Sequence, residues 1–467
     1  MTTTTRVGPL LPLICQFMST PWSVPEPEDD PKRTLTHVCK EWRRAIISDA
    51  ALWAHIRLAP VKYQQPENLL RLFEQDVERS RGMPLTIEMY NDIPRALRAK
   101  VEKVEDLMFG GGEFSIIKHI LLPEAVRTRL TSLTCTLAKD NIPEFLGLPS
   151  SAFPVLRHVN IALIHTLSTP ASPFTADLTK CLQFTTFSSH PTLVDATFHI
   201  HNRMHPLDLR LPWAQLTKLD LSSAPMPSWT FLVIMKRSAK SLEEAAFQIM
   251  FIARANQRLL PKSSQATMPA LKKMKLILID AIWDPAFFGM LKLPVLDRLN
   301  IERFDRHVGW ELWLFAPLLA YTEGILRRLE LKRFELKLEA GDPIPRKRRT
   351  SFVELEAVLM MVPRLEVLKL ASDVEVHYPT LVKMGRGDLV PNLRVLEMFS
   401  TAGKQVLWMV KERFLEPGSS VRGSRVVGLT QLDLWIPVEE KEILSEMVKA
   451  SGLDKVIDIR GLRVADR

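Results

Sequence analysis

Three histidines, His199, His201 and His205, fall within seven residues. On a strand the first two share a face, as two metal ligands would. No third ligand comes at a convincing spacing, so ordinary strand and loop histidines are the simpler reading. Cys15, Cys39, Cys135 and Cys181 are far apart and form no C-x-x-C pair, which excludes a zinc ribbon and a thioredoxin-like redox pair. No G-x-S-x-G elbow, phosphate-binding G-x-x-x-x-G-K-[ST] loop or H-E-x-x-H helix occurs. Gly110-Gly111-Gly112 reads as a flexible turn rather than a phosphate cradle. The expectation is a chain without catalytic residues, metal or cofactor. Of its ten tryptophans, Trp213, Trp229, Trp283 and Trp435 stand at element ends. They are expected to anchor the core, with one or two free for a recognition surface.

The elements that would position a binding surface repeat along the chain. The motif Leu-x-x-Leu-x-Leu, often with Pro two residues before it, begins at Leu156, Leu216, Leu271, Leu296, Leu326, Leu365, Leu393 and Leu429. Weaker copies begin at Leu130, Leu193 and Leu242. The spacings run from 23 to 39 residues. The shorter ones fit leucine-rich repeats of about 20–29 residues, and the longer ones need insertions. Amphipathic stretches such as 231–238 and 352–361 lie between copies, so each unit reads as one strand plus one helix. No such unit buries its own apolar face, and stacking makes a continuous core. The spacing predicts an α/β solenoid with a curved parallel sheet. The fourth and sixth motif positions face the core, and the third and fifth face out. All eight fifth positions are polar: Asn160, Asp220, Lys275, Asn300, Glu330, Lys369, Glu397 and Asp433.

The first 60 residues differ. Leu10 to Phe17 suggests a short, Pro-interrupted helix, and 21–31 a Pro- and acid-rich loop. Asp30-Pro31 signals a helix start. The following helix is expected to carry Leu35, Val38, Cys39, Trp42 and Ile46 as one apolar stripe, with Ser48 or Asp49 capping a last turn that holds Leu52 and Trp53. Residues 66–80 read as helix stopped by Gly82, then Leu85, Ile87 and Met89 as a strand.

In the chain of 467 residues, hydrophobic residues make up 46 % and charged residues 25 %, and the net charge is +9. That suits a large apolar core and speaks against global disorder. No run is long and apolar enough to span a bilayer, and the start lacks the pattern of a signal peptide. A soluble chain in the cytoplasm or nucleus, with no membrane partner, is expected. Acidic and basic residues are interleaved, which argues against nucleic acid as a partner. Arg346-Lys347-Arg348-Arg349 is either a nuclear-import signal or, as charge runs usually are, a solvated loop.

The segment Val38-Cys39-Lys40-Glu41-Trp42-Arg43-Arg44, with Ile47-Ser48-Asp49 and Leu52-Trp53, resembles the second half of an F-box. The stretch from Leu72-Phe73-Glu74 to Pro84-Leu85-Thr86-Ile87 is similar to the unit that follows it in F-box and leucine-rich-repeat proteins of mushroom-forming fungi. The usual opening Leu-Pro-x-Glu-Leu-Leu is replaced by Pro9 to Phe17 without its Glu. The resemblance implies a three-helix F-box-like domain over 1–59 and a leucine-rich-repeat-like solenoid over 60–467. It implies a substrate-recognition subunit of a Skp–cullin–F-box ubiquitin ligase. Pro9, Leu11, Phe17, Val38, Trp42, Leu52 and Trp53 would bind the Skp-type adaptor, and the repeats would hold a protein substrate. The alternative is a repeat scaffold whose helices only cap the array. The outward residues Arg157, His158, Lys218, Asp220, Lys273, Lys275, Arg298, Arg328, Glu330 and Lys369 are the expected substrate surface. Their basic bias suits an acidic or phosphorylated partner segment.

Overall fold

Each motif leucine sits where a turn hands the chain to a strand. In Phe153-Pro154-Val155-Leu156 the Leu156 N–H donates to the Phe153 carbonyl at 3.2 Å. The same bond recurs for Leu271 to Met268 (3.4 Å), Leu296 to Leu293 (3.2 Å), Leu365 to Val362 (3.1 Å) and Leu393 to Val390 (3.1 Å). In all five, Pro is the second residue of the turn, where its fixed φ is already correct. The Pro marked in the repeat therefore starts the strand. Beyond the turn, one backbone carbonyl ties each repeat to the next. The N–H groups of Arg327 and Arg328 both donate to Asp297 O at 2.9 and 3.0 Å, and those of Glu366 and Val367 to Arg327 O at 2.8 and 3.0 Å.

In the computed structural model the described residues are 31–58, 66–89, 115, 117–137, 141–163, 184–200, 204–251, 265–279, 286–304, 310–322, 324–333, 352–371, 374, 376–400, 402–415, 426–436, 440–453 and 458–464. The chain divides into two compact units, Met1–Pro212 and Trp213–Arg467. The boundary expected near residue 59 lies outside the described residues.

Among its described residues the first unit holds α1 (Pro31–Thr36), α2 (Lys40–Ser48), α3 (Ala50–Trp53), β1 (His55–Leu58), α4 (Pro66–Arg79), β2 (Leu85–Met89), β3 (Leu130–Leu137), β4 (His158–Leu163) and β5 (Asp195–His199). The five strands pair in parallel and in chain order. The second unit holds β6 (Lys218–Pro227), α5 (Ser228–Arg237), β7 (Glu244–Met250), β8 (Ala266–Thr267), β9 (Lys273–Ile279), β10 (Leu291–Lys292), β11 (Arg298–Arg303) and β12 (Arg328–Arg333). Then come α6 (Phe352–Met361), β13 (Val367–Lys369), α7 (Tyr378–Arg386), β14 (Val395–Phe399), α8 (Gly403–Leu415), β15 (Gln431–Ile436), α9 (Lys441–Ser451) and β16 (Asp458–Val464). Apart from the small parallel pair β8–β10, its strands form a large parallel sheet, each joined to the next in sequence. All eight strong motifs are strands of the α/β fold.

The register follows the motif. Leu299 lies beside Met274 and Leu329, and Leu329 beside Leu368. Every fourth and sixth position of the eight motifs is buried. Rings stitch the core of the second unit together behind this sheet. Phe231 meets Phe247 edge-on at 5.0 Å and Phe287 at 5.7 Å, and Phe288 meets Phe315 at 4.8 Å, spacings favourable for aromatic pairs.

Two expectations need correction. The stripe from Leu35 to Ile46 is not one helix. Cys39 is extended (φ −156°, ψ 171°), and its Sγ accepts the Trp42 N–H at 3.4 Å, so α2 starts afresh. The Arg43 side chain reaches back to the Thr36 carbonyl at 2.8 Å, satisfying the end of α1. Val38, in the turn between them, is 59 % exposed. Nor are the fifth motif positions fully exposed. They are partly covered, and Glu330 is only 6 % exposed. Strands about 4.8 Å apart let long neighbouring side chains lie over one another.

Candidate functional site

The outward face of the second unit carries two parallel rows. The third motif positions bring Lys218, Glu244, Lys273, Arg298 and Arg328 side by side across β6, β7, β9, β11 and β12. The fifth positions align Asp220, Ala246, Lys275, Asn300 and Glu330. Side chains two apart along a strand share a face, so both rows border one open groove of about 270 Å³. In the fifth-position row Ala246, between Asp220 and Lys275, is the smallest side chain. Next to it β6 shifts register between Leu221 and Pro225. There the Asp220 carboxylate accepts the Ser222 N–H at 2.9 Å.

The groove's charges are paired, but unevenly. Lys273 pairs with Glu244, and Lys275 with Glu302 at 3.1 Å. Asp297, just outside, serves both Arg298 (3.4 Å) and Arg327. Glu330 serves both Arg328 and Lys332 (2.8 Å). Two carboxylates are thus each shared by two cations, and Glu366 also attracts Arg327. Burial pushes the Glu330 carboxyl up, but the hydrogen bonds from Lys332 and Arg328 outweigh it and hold its pKa below the usual carboxylate value. It therefore stays ionised at neutral pH. The exposed pair Lys273–Glu244 is of a kind that contributes about 0.2–1 kcal/mol and leaves room for exchange with a partner's charge.

Of the expected substrate surface, the groove gathers Lys218, Asp220, Lys273, Lys275, Arg298, Arg328 and Glu330. Lys369 lies farther along the fifth row, paired with Glu397 at 2.7 Å. Arg157 and His158 are exposed in the first unit, where His158 Nδ1 is 3.7 Å from Asp195. Glu244 and Ala246 are groove residues that the expected set lacks. The weaker copy at Leu242 carries them in its third and fifth positions, so the motif held the signal.

A second surface lies on α1–α3. Leu35, Ile46 and Trp53 form its core, with Trp42, Ile47 and Leu52 packed against it and partly buried. Trp53 is 0 % exposed, and its indole N–H donates to the Ile46 carbonyl at 2.8 Å. The Arg79 guanidinium lies 4.4 Å from its ring centroid. Asp49 caps α3 through the Ala51 N–H at 3.1 Å. The F-box-like positions thus sort by burial: Trp53 inward, Trp42 and Leu52 partly covered, Val38 outward. Pro9, Leu11 and Phe17 lie outside the described residues, as do Gly110–Gly112, His201, Trp283 and Arg346–Arg349.

Among the described residues no group of three His, Cys, Asp or Glu is placed to hold a metal ion. Nor is any helix among them long and apolar enough to cross a membrane. Neither a model of a known protein family nor a curated protein matches the chain.

Proposed function

We propose that this chain is the non-catalytic substrate-recognition subunit of a Skp–cullin–F-box ubiquitin ligase. In this reading α1–α3 belong to an F-box-like cap that docks on a Skp-type adaptor, and the leucine-rich-repeat-like strands hold a protein substrate. The chain acts by proximity, raising the effective concentration of a substrate lysine at a charged conjugating enzyme. One observation carries the reading. The residues that resemble an F-box fold as helices, yet leave an apolar side chain, Val38, 59 % exposed beside a strand array. Covering its side chain with a partner would remove apolar surface from water, a gain of about 25 cal/mol per Å².

The test is direct binding of purified Skp-type adaptor to the full chain. Binding that weakens at least tenfold in Val38→Asp, with an unchanged circular dichroism spectrum, supports the proposal. Co-expression with the adaptor should also raise soluble yield, because a ligand of the native state stabilises it. A wild-type chain that ignores the adaptor sinks the proposal. It would favour a second reading, a repeat scaffold whose helices only seal the array, which the full burial of Trp53 and Ile46 supports.

A further inference from the structure

We propose that the residues entering the strands from β7 to β14 form one ladder of alternating charge that keeps the repeats in their order as the second unit folds. Glu243, Lys272, Asp297, Arg327, Glu366 and Arg394 stand one residue before β7, β9, β11, β12, β13 and β14. A backbone spine sets them side by side. The Lys272 N–H donates to the Glu243 carbonyl, that of Asp297 to Lys272, of Arg327 to Asp297, of Glu366 to Arg327 and of Arg394 to Glu366, each at 2.8 or 2.9 Å. The signs read minus, plus, minus, plus, minus, plus. Lys272 Nζ lies 2.7 Å from the Glu243 carboxylate, Arg327 pairs with Asp297, and Glu366 also attracts Arg327. The spine is uncharged at its flanks, where the Thr217 carbonyl takes the Glu243 N–H and the Thr430 N–H donates to Arg394.

The repeat itself creates the need for such a device. Along the inward row, Met274, Leu299, Leu329, Leu368 and Leu396 are nearly equivalent. A strand that skipped its neighbour and paired with the next one would still bury a leucine, and arrays of similar units are prone to misassembly of this kind. The outward third positions of β9, β11 and β12 do not discriminate either, since Lys273, Arg298 and Arg328 carry one sign. The ladder does. Skipping β9 sets Glu243 beside Asp297, skipping β11 sets Lys272 beside Arg327, skipping β12 sets Asp297 beside Glu366, and skipping β13 sets Arg327 beside Arg394. Because the signs alternate, every single skip replaces attraction by repulsion between directly opposed side chains. A solvated pair such as Lys272–Glu243 adds little to the finished fold. Its effect lies in the difference between the native pairing and the wrong one. Nothing in this depends on the receptor reading.

Refolding of the full chain by dilution from urea tests the ladder. A block variant, Lys272→Glu with Glu366→Lys, keeps the net charge but orders the row as three minus and then three plus. An inverted variant carries Glu243→Lys, Lys272→Glu, Asp297→Lys, Arg327→Glu, Glu366→Lys and Arg394→Glu, which also keeps the net charge and restores the alternation. Native monomer is scored by gel filtration and by hydrogen-exchange protection of β9–β14. The block variant should recover roughly threefold less native protein than wild type, the ratio expected from a few like-charge contacts. The inverted variant should recover as wild type does. Full recovery of the block variant overturns the proposal even if its urea midpoint is lower, because the ladder would then only stabilise the finished fold. An inverted variant that recovers as poorly as the block variant overturns it too, because the identity of the side chains and not their alternation would then matter.

Discussion

Arg413 is the most heavily committed single side chain. It is 1 % exposed and has no carboxylate partner among the described residues; its guanidinium donates to the carbonyls of Met384 (2.6 Å), Val390, Pro391 (2.9 Å), Leu393 and Val427 (2.9 Å). Burial pulls its pKa down to about 10, still well above neutrality, so these bonds are charge-assisted. They tie the turn after α7 to the strand that follows and to residue 427. Arg413→Met strands several carbonyls and should lower stability by roughly 3 kcal/mol or more, read as a lower urea midpoint. Arg413→Lys keeps the charge but not the fork and should fall between the two. His190 makes a pH prediction in the first unit. It is buried, and its Nε2 lies 2.7 Å from the Phe153 carbonyl. Burial pushes its pKa down more than that bond raises it. The unfolded chain, with the ordinary value of 6.5, then takes up a proton before the folded one does. Its contribution to stability is complete above pH 6.5 and is lost as pH falls below that value. Denaturant midpoints of the first unit should decline from pH 7 to 5.5, and less steeply in His190→Gln.

The strands and the helices α1–α3 respond to substitution by face. Leu329 lies in the inward row between Leu299 and Leu368, so Leu329→Ala should cost about 2–5 kcal/mol. Ala246→Leu, on the outward row of β7, should change stability little. Unfolding curves of the two variants side by side check the inward–outward alternation directly. In α3, Trp53→Ala removes a ring packed on Ile46 and Leu35 and should cost roughly 3–5 kcal/mol. Val38→Asp, in an exposed turn, should leave the melting temperature within a degree or two. Equal losses from these two would mean that the α1–α2 turn is packed and not a docking surface.

At the scale of the molecule, among the described residues each main-sheet strand of the second unit pairs with its neighbours in chain order. Stability in such an array is a sum of nearest-neighbour terms, so damage should stay local. In Leu329→Ala, hydrogen exchange should accelerate most in β11, β12 and β13 and hardly at all in β1–β5. Uniform acceleration over the whole chain would show a single cooperative body instead.

The strands were legible because one motif repeats. Leu-x-x-Leu-x-Leu states the two-residue alternation of a strand, and the preceding Pro states its turn, so local sequence determined position and inward face for the motif strands, whereas β1, β8, β10 and β16 carry no copy of the motif and were not read from it. The α4–β2 unit was legible for the same reason: its helical stripe ends at Arg79, and Arg81 (φ 46°) and Gly82 (φ 83°) turn the chain toward Leu85. The break before α2 was not, since the apolar spacing runs on through Val38 and Cys39 and only the extended backbone at Cys39 ends it. The groove was half legible. Its cations follow from the motif, and the weaker copy at Leu242 places Glu244 and Ala246 in the same rows. The sharing of Asp297 by Arg298 and Arg327, and of Glu330 by Arg328 and Lys332, was not legible. Those are distances between side chains remote in the chain or set by their orientation, and only the tertiary structure decides them.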